Sequence, residues 1–314
     1  MRIAACRVIA AFALLSVSSP ALAQLNTQHL RGGVGLKAGS QPPPGGYVIA
    51  PLLYFYSVDK LKNANGDTIP LDLKINTAMF GGGLFYVTTK KLLGGFYGFQ
   101  VLFPVGANNR IQGTEDLNPG AGLTDSVVEP INLGWHTKRA DANVGYTIYV
   151  PTGRYEDGAS NNTGLGMWGH EITAGTTVYL TESKQYHAAT MVSFDFQSKK
   201  EDSETKVGNA MNLEGGVGVD LLKGGLTTGL SYASTIKLTE DQIEGFPQIL
   251  IRGKNRVFSL GPEATLALAR KNTVYGFLRV AYLWEVYART NTQGGSWMIG
   301  ATFLLKPLKV PPSP

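Results

Sequence analysis

The stretch TVYGFLRVAYLWEVY, residues 273–287, divides its large side chains into two sets by even and odd position. The even set is Val274, Leu278, Val280, Tyr282, Trp284 and Val286, and the odd set includes Tyr275, Phe277, Arg279, Glu285 and Tyr287. A period of two predicts a β-strand, because successive side chains point to opposite faces of a sheet. One face is apolar and the other carries charge. The same division recurs in NLEGGVGVDLL, residues 212–222.

Alternation of this kind recurs along most of the chain, and helical periodicity is almost absent. It predicts twelve strands with approximate bounds 46–56, 74–89, 93–106, 123–136, 141–151, 168–181, 186–198, 209–223, 226–237, 255–269, 273–287 and 295–305.

The connections between these strands alternate in length. Those at 90–92, 137–140, 182–185, 224–225 and 270–272 are short, whereas those at 57–73, 107–122, 152–167 and 238–254 are long and polar. A soluble sandwich has no reason to sort its loops in this way, but transmembrane barrels have short periplasmic turns and long extracellular loops. The sequence therefore predicts an all-β fold, an antiparallel up-and-down transmembrane β-barrel of the outer-membrane type with about 12 strands.

The N-terminal residues predict export. MRIAACRVIAAFALLSVSSPALAQ has a basic start, a short apolar core and a small-residue cleavage site at Ala21-Leu22-Ala23, which together indicate a signal peptide over residues 1–23. The single cysteine, Cys6, lies within it, so the mature chain can form no disulfide. The expected location is the bacterial outer membrane.

The barrel is expected to span residues 46–305, with a periplasmic tail over residues 306–314. Residues 24–45 are expected not to form a strand, since the prolines of SQPPPGG lack the N–H groups that a sheet needs. This segment either enters the barrel as a plug or lies across the periplasmic mouth. Without residues 1–23 the chain has 26 basic and 23 acidic residues, a balance that excludes an electrostatic nucleic-acid binder.

The charged faces of the strands predict the lining of the barrel lumen. The expected lumen and solute-path residues are Tyr149, Tyr179, Asp195, Glu214, Asp220, Glu263, Tyr275, Phe277, Arg279, Glu285 and Tyr287. Aromatic rings around a pore suit apolar or aromatic solutes, although bulky side chains can also simply fill a small barrel. A three-residue turn over 270–272 would place Glu263 directly opposite Arg279, where the two could pair.

Two histidines are candidates for chemistry. His136 is expected at the periplasmic rim, opposite Asp141, where a hydrogen bond between them would fix the turn. His170-Glu171 resembles the start of a zinc-protease motif, but position 174 is Ala, so the second histidine is missing. No catalytic residue, metal site or cofactor is assigned. Trp135 and Trp168 face outward and are expected to anchor the barrel at the two membrane interfaces.

One strand conflicts with the pattern of alternation. Ile131 and Trp135 define an outward face that would also include the charged Glu129. A bulge near Pro130 would resolve the conflict, because proline cannot donate a hydrogen bond to the neighbouring strand.

Several stretches resemble an outer-membrane protein family named for the meta-pathway of phenol degradation. They are GGVGLKAGSQPPPGGYVIAPLLYFYSVDKLKNANGD (32–67), GLTDSVVEPINLGWH (122–136) and VGYTIYVPTGRYE (144–156). The resemblance implies an outer-membrane barrel that passes hydrophobic or aromatic compounds into the periplasm.

The function expected from these observations is a channel for passive uptake of small hydrophobic, aromatic compounds. Its partners would be outer-membrane lipid, lipopolysaccharide and the solutes themselves. Two alternatives belong to other classes. One is a barrel enzyme that acts on membrane lipid with His136 or His170 as base, and the other is a structural or adhesive barrel whose long loops face other cells.

Overall fold

The computed structural model describes residues 26–71, 73–112, 120–157, 159, 161–244 and 254–309. The expected signal peptide, residues 1–23, and residues 310–314 of the expected tail lie outside this part of the chain. Among the described residues, no helix combines the length and the hydropathy that a membrane crossing requires.

Twelve long strands form the body of the protein. They are β1 (Gly45–Lys62), β3 (Lys74–Leu92), β4 (Gly95–Gln112), β6 (Ser126–His136), β7 (Ala140–Val150), β8 (Gly169–Tyr179), β9 (Tyr186–Gln197), β10 (Ala210–Leu221), β11 (Leu226–Lys237), β12 (Arg256–Arg270), β13 (Thr273–Arg289) and β14 (Asn291–Lys309). Two short strands, β2 (Thr68–Ile69) and β5 (Gly122–Leu123), pair with β1 and β4. Each long strand is antiparallel to its neighbours, and β14 pairs with β1, which closes the sheet. The predicted 12-strand antiparallel barrel is confirmed.

The outer surface of the barrel is apolar. Each long strand exposes at least one large apolar side chain, as shown by Phe55, Phe80, Phe103, Ile131, Val144, Ile172, Phe194, Val217, Leu230, Leu260, Trp284 and Trp297. The inner surface, in contrast, carries the buried charged residues, among them Glu171, Asp195 and Glu214. Charges inside and apolar side chains outside are the arrangement that a lipid environment imposes on a barrel wall.

The connections differ between the two ends of the barrel. One end has the short turns 93–94, 137–139, 180–185, 222–225 and 271–272, and the other has 63–73, 113–125, 151–168, 198–209 and 238–255, together with the single residue Thr290 between β13 and β14. We call these the short-turn end and the long-loop end. In a transmembrane barrel they correspond to the periplasmic and extracellular sides.

Three expected boundaries and turns are corrected by the structure. β14 begins at Asn291 and continues to Lys309, so residues 306–309 extend the strand and are not a tail. They do so because the partner strand reaches equally far, with Lys309 opposite Thr273. The connection between β10 and β11 has four residues, 222–225, in place of two, and positive φ angles at its first three residues close it.

The turn between β12 and β13 is also shorter than expected. Arg270 pairs with Thr273, which leaves a two-residue turn of Lys271 and Asn272, both with positive φ. The facing pattern of the two strands requires one residue more than this turn contains, and a bulge at Tyr275 provides it. The bulge expected near Pro130 is present as a shift in register between Val128 and Ile131.

Residues 26–44 run through the lumen from the long-loop end to the short-turn end. Gln28 donates a hydrogen bond to the carbonyl of Met167 (2.8 Å), next to a long loop. At the other end, Gln41 bonds the side chain of Asn132 (2.8 Å) and Ser40 bonds Asp141 (2.9 Å). β1 then begins at Gly45. Of the two expected positions for this segment, the structure has the one inside the barrel.

Candidate functional site: a lumen divided by the N-terminal segment

Three cations of the N-terminal segment (residues 26–44) pair with acidic residues on the barrel wall. Arg31 contacts Glu285 on β13 at 2.7 Å, and Lys37 contacts Asp220 on β10 at 2.7 Å. His29 lies between two carboxylates, with Nδ1 2.7 Å from Glu171 on β8 and Nε2 3.0 Å from Glu214 on β10.

The same wall also binds the backbone of the segment. Glu214 accepts hydrogen bonds from the N–H groups of Gly32 (2.7 Å) and Val34 (3.1 Å), and Glu263 accepts one from Leu36 (3.1 Å). Buried backbone N–H groups need an acceptor, and the segment has no neighbouring strand to provide one. These buried carboxylates accept the hydrogen bonds instead. These contacts fix residues 29–37 of the segment to the side of the lumen formed by β8 to β13.

Gly35 is the point of closest approach between the segment and this wall. Its φ is +77°, and a Cβ atom there would lie 2.3 Å from Oε1 of Glu263. Both facts favour glycine, since other residues rarely adopt positive φ and a methyl group has no room.

The charges of the segment and the wall are complementary. Arg31 and Lys37 each contact a carboxylate of the wall, and His29 lies between two more. The segment thus carries positive charge where the wall is negative.

The other side of the lumen is open. A cavity of about 750 Å³ lies between the segment and β1, β3, β4 and β6, and β14 also contributes to its lining. Many of its inward-facing side chains are apolar, including Ile49, Leu52, Ile75, Met79, Phe85, Leu102, Val127 and Met298. It reaches from Thr163 and Leu165 in a long loop to Gln41 and Asn132 near the short turns. Its volume is in the range of pockets that bind small organic molecules.

The structure places most of the expected lumen residues on the inner face. Tyr149, Tyr179, Asp195, Glu214, Glu263 and Glu285 are buried there. Asp220 bonds Lys37 of the segment, and Phe277 is half-buried on the same face as Arg279. Tyr149 and Arg279 line the open cavity, whereas most of the acidic residues hold the segment. Their part in a solute path stays a prediction.

Two of the residues expected to line the lumen do not lie on its inner face. Tyr287 lies beyond a register shift, opposite Phe258, and is 44% exposed. The extra residue in β13 reverses the alternation, so Tyr287 faces outward while Glu285 faces inward. Tyr275 is itself the bulged residue near the short-turn end and is 47% exposed, so neither tyrosine narrows the lumen beside Arg279.

Glu263 and Arg279 form a two-pronged ion pair, with Nε to Oε1 at 3.0 Å and Nη2 to Oε2 at 2.9 Å. They are not directly opposed, however. Glu263 pairs with Ala281, and Arg279 with Thr265, because the two-residue turn and the bulge at Tyr275 each shift the register by one residue from the expected pairing. The long side chain of Arg279 reaches diagonally across the two strands to Glu263. Arg279 also donates to the carbonyls of Gly33 (3.0 Å) and Gly32 (2.8 Å) of the segment.

The candidate histidines have structural contacts. His136 lies opposite Asp141 across its turn, with Nδ1 3.1 Å from Oδ1. His170 stacks on Tyr146 and bonds its hydroxyl at 2.8 Å. Trp168 is 48% exposed at the long-loop end, and Trp135 packs over Gly95 and donates to the carbonyl of Leu93 at the short-turn end.

The chain matches the family model described as "Putative MetA-pathway of phenol degradation" over residues 58–299. It belongs to this family. A crystal structure of the COG4313 outer membrane channel from Pseudomonas putida F1 is similar, with a TM-score of 0.71 and 14% identity over 88% of this chain and 100% of that one. The β-domain of the Bordetella autotransporter BrkA gives a TM-score of 0.46 at 12% identity, over 83% and 100%. A comparison with curated proteins found no match.

The family model establishes the family, and the similarity to the COG4313 channel supports an outer-membrane type of barrel. At 14% identity the structural similarity describes the fold and not the solute. The function must therefore be inferred from the lumen of this chain.

Proposed function

We propose that this protein is an outer-membrane channel for passive uptake of small hydrophobic, aromatic compounds. The observation that carries the proposal is the cavity of about 750 Å³ between the N-terminal segment and the wall of β1, β3, β4 and β6, many of whose inward-facing side chains are apolar. A porin for ions and sugars would be expected to present polar side chains on all sides of its lumen. Most of the charge in this lumen lies on the side that holds the segment, and on the cavity side β6 contributes one carboxylate, Glu129, which accepts a hydrogen bond from Asn132.

The proposed affinity for such a solute is low, as transport requires. An aromatic ring that buries about 150 Å² of apolar surface gains about 4 kcal/mol. Loss of translational and rotational freedom costs at least a similar amount. A solute would therefore enter the cavity and leave it readily.

The family description and the name of the Pseudomonas putida relative support this proposal. The first refers to phenol degradation, and the second to an outer membrane channel. The two alternative functions, a lipid-modifying enzyme and an adhesive barrel, gain no specific support. The two candidate bases contact Asp141 and Tyr146.

Filling the cavity tests the proposal. Gly300 on β14 lines the cavity, and a Cβ there would meet only Leu52 Cδ1, at 3.7 Å, so a large side chain has room to project inward. Gly300→Trp should reduce the entry of labelled toluene into cells by several-fold relative to the wild type. Ile299→Trp is the matched control, because the neighbouring position faces outward on the same strand.

Unchanged entry in Gly300→Trp, with both variants folded and equally abundant in the membrane, would refute the proposed path. Entry of toluene that does not differ between cells with and without the protein would refute the function itself. Analysis of lipid products from membranes incubated with the pure protein would reveal an enzyme instead.

A further inference from the structure

Four buried ionisable side chains meet where the N-terminal segment crosses β8, β9 and β10. Glu171 and Asp195 are directly opposed on β8 and β9, and Glu214 projects from β10. Their exposures are 4%, 0% and 1%. His29 enters this group from the segment. Like charges directly opposite one another destabilise a sheet, and burial increases the effect, so this pair of carboxylates calls for a positive charge between them.

The atoms of this group are arranged around a common point. Single ligand atoms of His29, Glu171 and Asp195 all lie within 4.8 Å of one another. Oδ2 of Asp195 accepts a hydrogen bond from Asn212 at 2.9 Å. Within the described part of the chain, no group donates a hydrogen bond to Oδ1, although that atom is fully buried. A buried carboxylate oxygen without a donor is costly, which points to a ligand at this position.

We propose that His29, Glu171 and Asp195 form a binding site for a divalent transition-metal cation of the Zn²⁺ type. One imidazole nitrogen and two carboxylates are donors that such cations accept, whereas Ca²⁺ and Mg²⁺ prefer oxygen donors alone. Nδ1 of His29 would release its proton to solvent and bind the cation, and its Nε2–H would donate to Glu214, which lies 3.0 Å away.

The surrounding hydrogen bonds hold the three ligands in place. Besides the bond from His29 to Glu214, the Tyr149 hydroxyl donates to Glu171 at 3.1 Å, and Asn212 donates to Asp195. Metal ligands in proteins are commonly oriented by such outer hydrogen bonds. Here each of the three ligands has one.

Geometry and access are compatible with a cation. Bonds of about 2.1 Å in a tetrahedral arrangement separate the ligand atoms by about 3.4 Å. His29 Nδ1 and Glu171 Oε2 are 2.7 Å apart, so the distance between them would need to increase by less than 1 Å. His29 and Glu171 also line the open cavity, so a cation can reach the site from the lumen.

The proposed site has a mechanical consequence that does not depend on the transported solute. Its ligands come from the N-terminal segment and from two strands of the wall, so a bound cation would join them. A ligand that binds only the folded arrangement stabilises it by mass action. The cation would thus hold the segment against β8 and β9.

The test uses the full mature chain, purified in detergent, treated with a chelator and titrated with Co²⁺ and then Zn²⁺. One Co²⁺ per chain should give a visible absorption spectrum that Zn²⁺ abolishes. His29→Gln and Asp195→Asn should each weaken binding more than tenfold. Asp220→Asn is the matched control, since it breaks the Lys37 ion pair of the same segment and leaves this group intact.

Absence of Co²⁺ binding by the folded wild-type chain would overturn the proposal. Equal affinity of the wild type and the two ligand variants would do so too. If the variants do not fold, Co²⁺ binding by the wild type alone still tests the proposal. Crystals soaked in Zn²⁺ should show an anomalous scattering peak between His29, Glu171 and Asp195, and its absence from that position would overturn the assignment.

Discussion

The ion pair of Glu263 and Arg279 should be one of the strongest couplings in the lumen. Arg279 makes two bonds to Glu263 and two to carbonyls of the N-terminal segment, so Arg279→Ala removes all four. It also leaves Glu263, 3% exposed, with the N–H of Leu36 as a remaining donor. Breaking a buried pair in this way costs about 4 kcal/mol.

Glu263→Ala should cost somewhat less, about 3 kcal/mol, because Arg279 is 20% exposed and keeps its carbonyl partners. The double variant should cost about 4 to 5 kcal/mol, because the two changes remove the same interaction. The coupling energy is then about 2 to 3 kcal/mol.

The measurement is urea-induced unfolding of the four proteins in detergent micelles, followed by tryptophan fluorescence. The matched control is the ion pair of Arg139 and Glu182, whose side chains are 55% and 89% exposed. Its coupling should be below about 1 kcal/mol. Additive effects for Glu263 and Arg279, within about 0.5 kcal/mol, would show that burial does not strengthen the pair and would refute this reasoning.

Three further predictions concern topology, the segment and pH. Cysteines placed at Asn65 and Asn161 should react with an impermeant thiol reagent on whole cells, and one at Lys138 should not; the reverse pattern would invert the topology. Gly35→Ala should displace the N-terminal segment and raise single-channel conductance, because its Cβ would meet Glu263 at 2.3 Å; wild-type conductance would show that the contact is unimportant. Burial lowers the pKa of Lys200 in a long loop from 10.5 to about 8, so stability should rise as pH increases from about 8 towards 10.5. Lys200→Met should lose that rise in urea titrations, and an unchanged rise would assign it to another group.

The barrel could be predicted from the sequence because two independent regularities agree. Alternation of side chains gave the strands, and the alternation of loop lengths distinguished a transmembrane barrel from a soluble sandwich. Both regularities remain recognisable when the predicted strand ends are wrong by a few residues, as with the extension of β14 to Lys309.

Facing direction is less robust, because one extra residue reverses it. The conflict between Glu129 and Ile131 could be read from the sequence, since a charge fell on an apolar face. No such conflict marks the extra residues in β13, where an outward tyrosine is as acceptable as an inward one. Alternation therefore predicts the wrong face for Tyr275 and Tyr287.

The apolar side of the lumen has a signal in the sequence that alternation does not reveal. Residues 46–58 and 75–89 include no charged side chain, and neither does 96–109, so these strands are apolar or neutral on both faces. A strand that faces lipid on one side and water on the other would be expected to alternate. These strands do not alternate, which indicates that their inner face is not a water-facing polar surface. This agrees with the cavity beside Leu52, Met79 and Leu102.

The charges of the lumen contain the information that would have placed the N-terminal segment. The expected inner face included Asp195, Glu214, Asp220, Glu263 and Glu285 but a single base, Arg279. Acidic groups in a confined space need compensation, and the segment between the expected cleavage site and β1 supplies His29, Arg31 and Lys37, with no acidic residue. Each of these cations contacts an acidic residue of that list. The imbalance on the strands therefore favours a segment inside the barrel over one lying across its mouth. The same reasoning explains the division of the lumen. A cationic segment is attracted to the acidic wall and leaves the uncharged stretches of β1, β3 and β4 free to line the cavity.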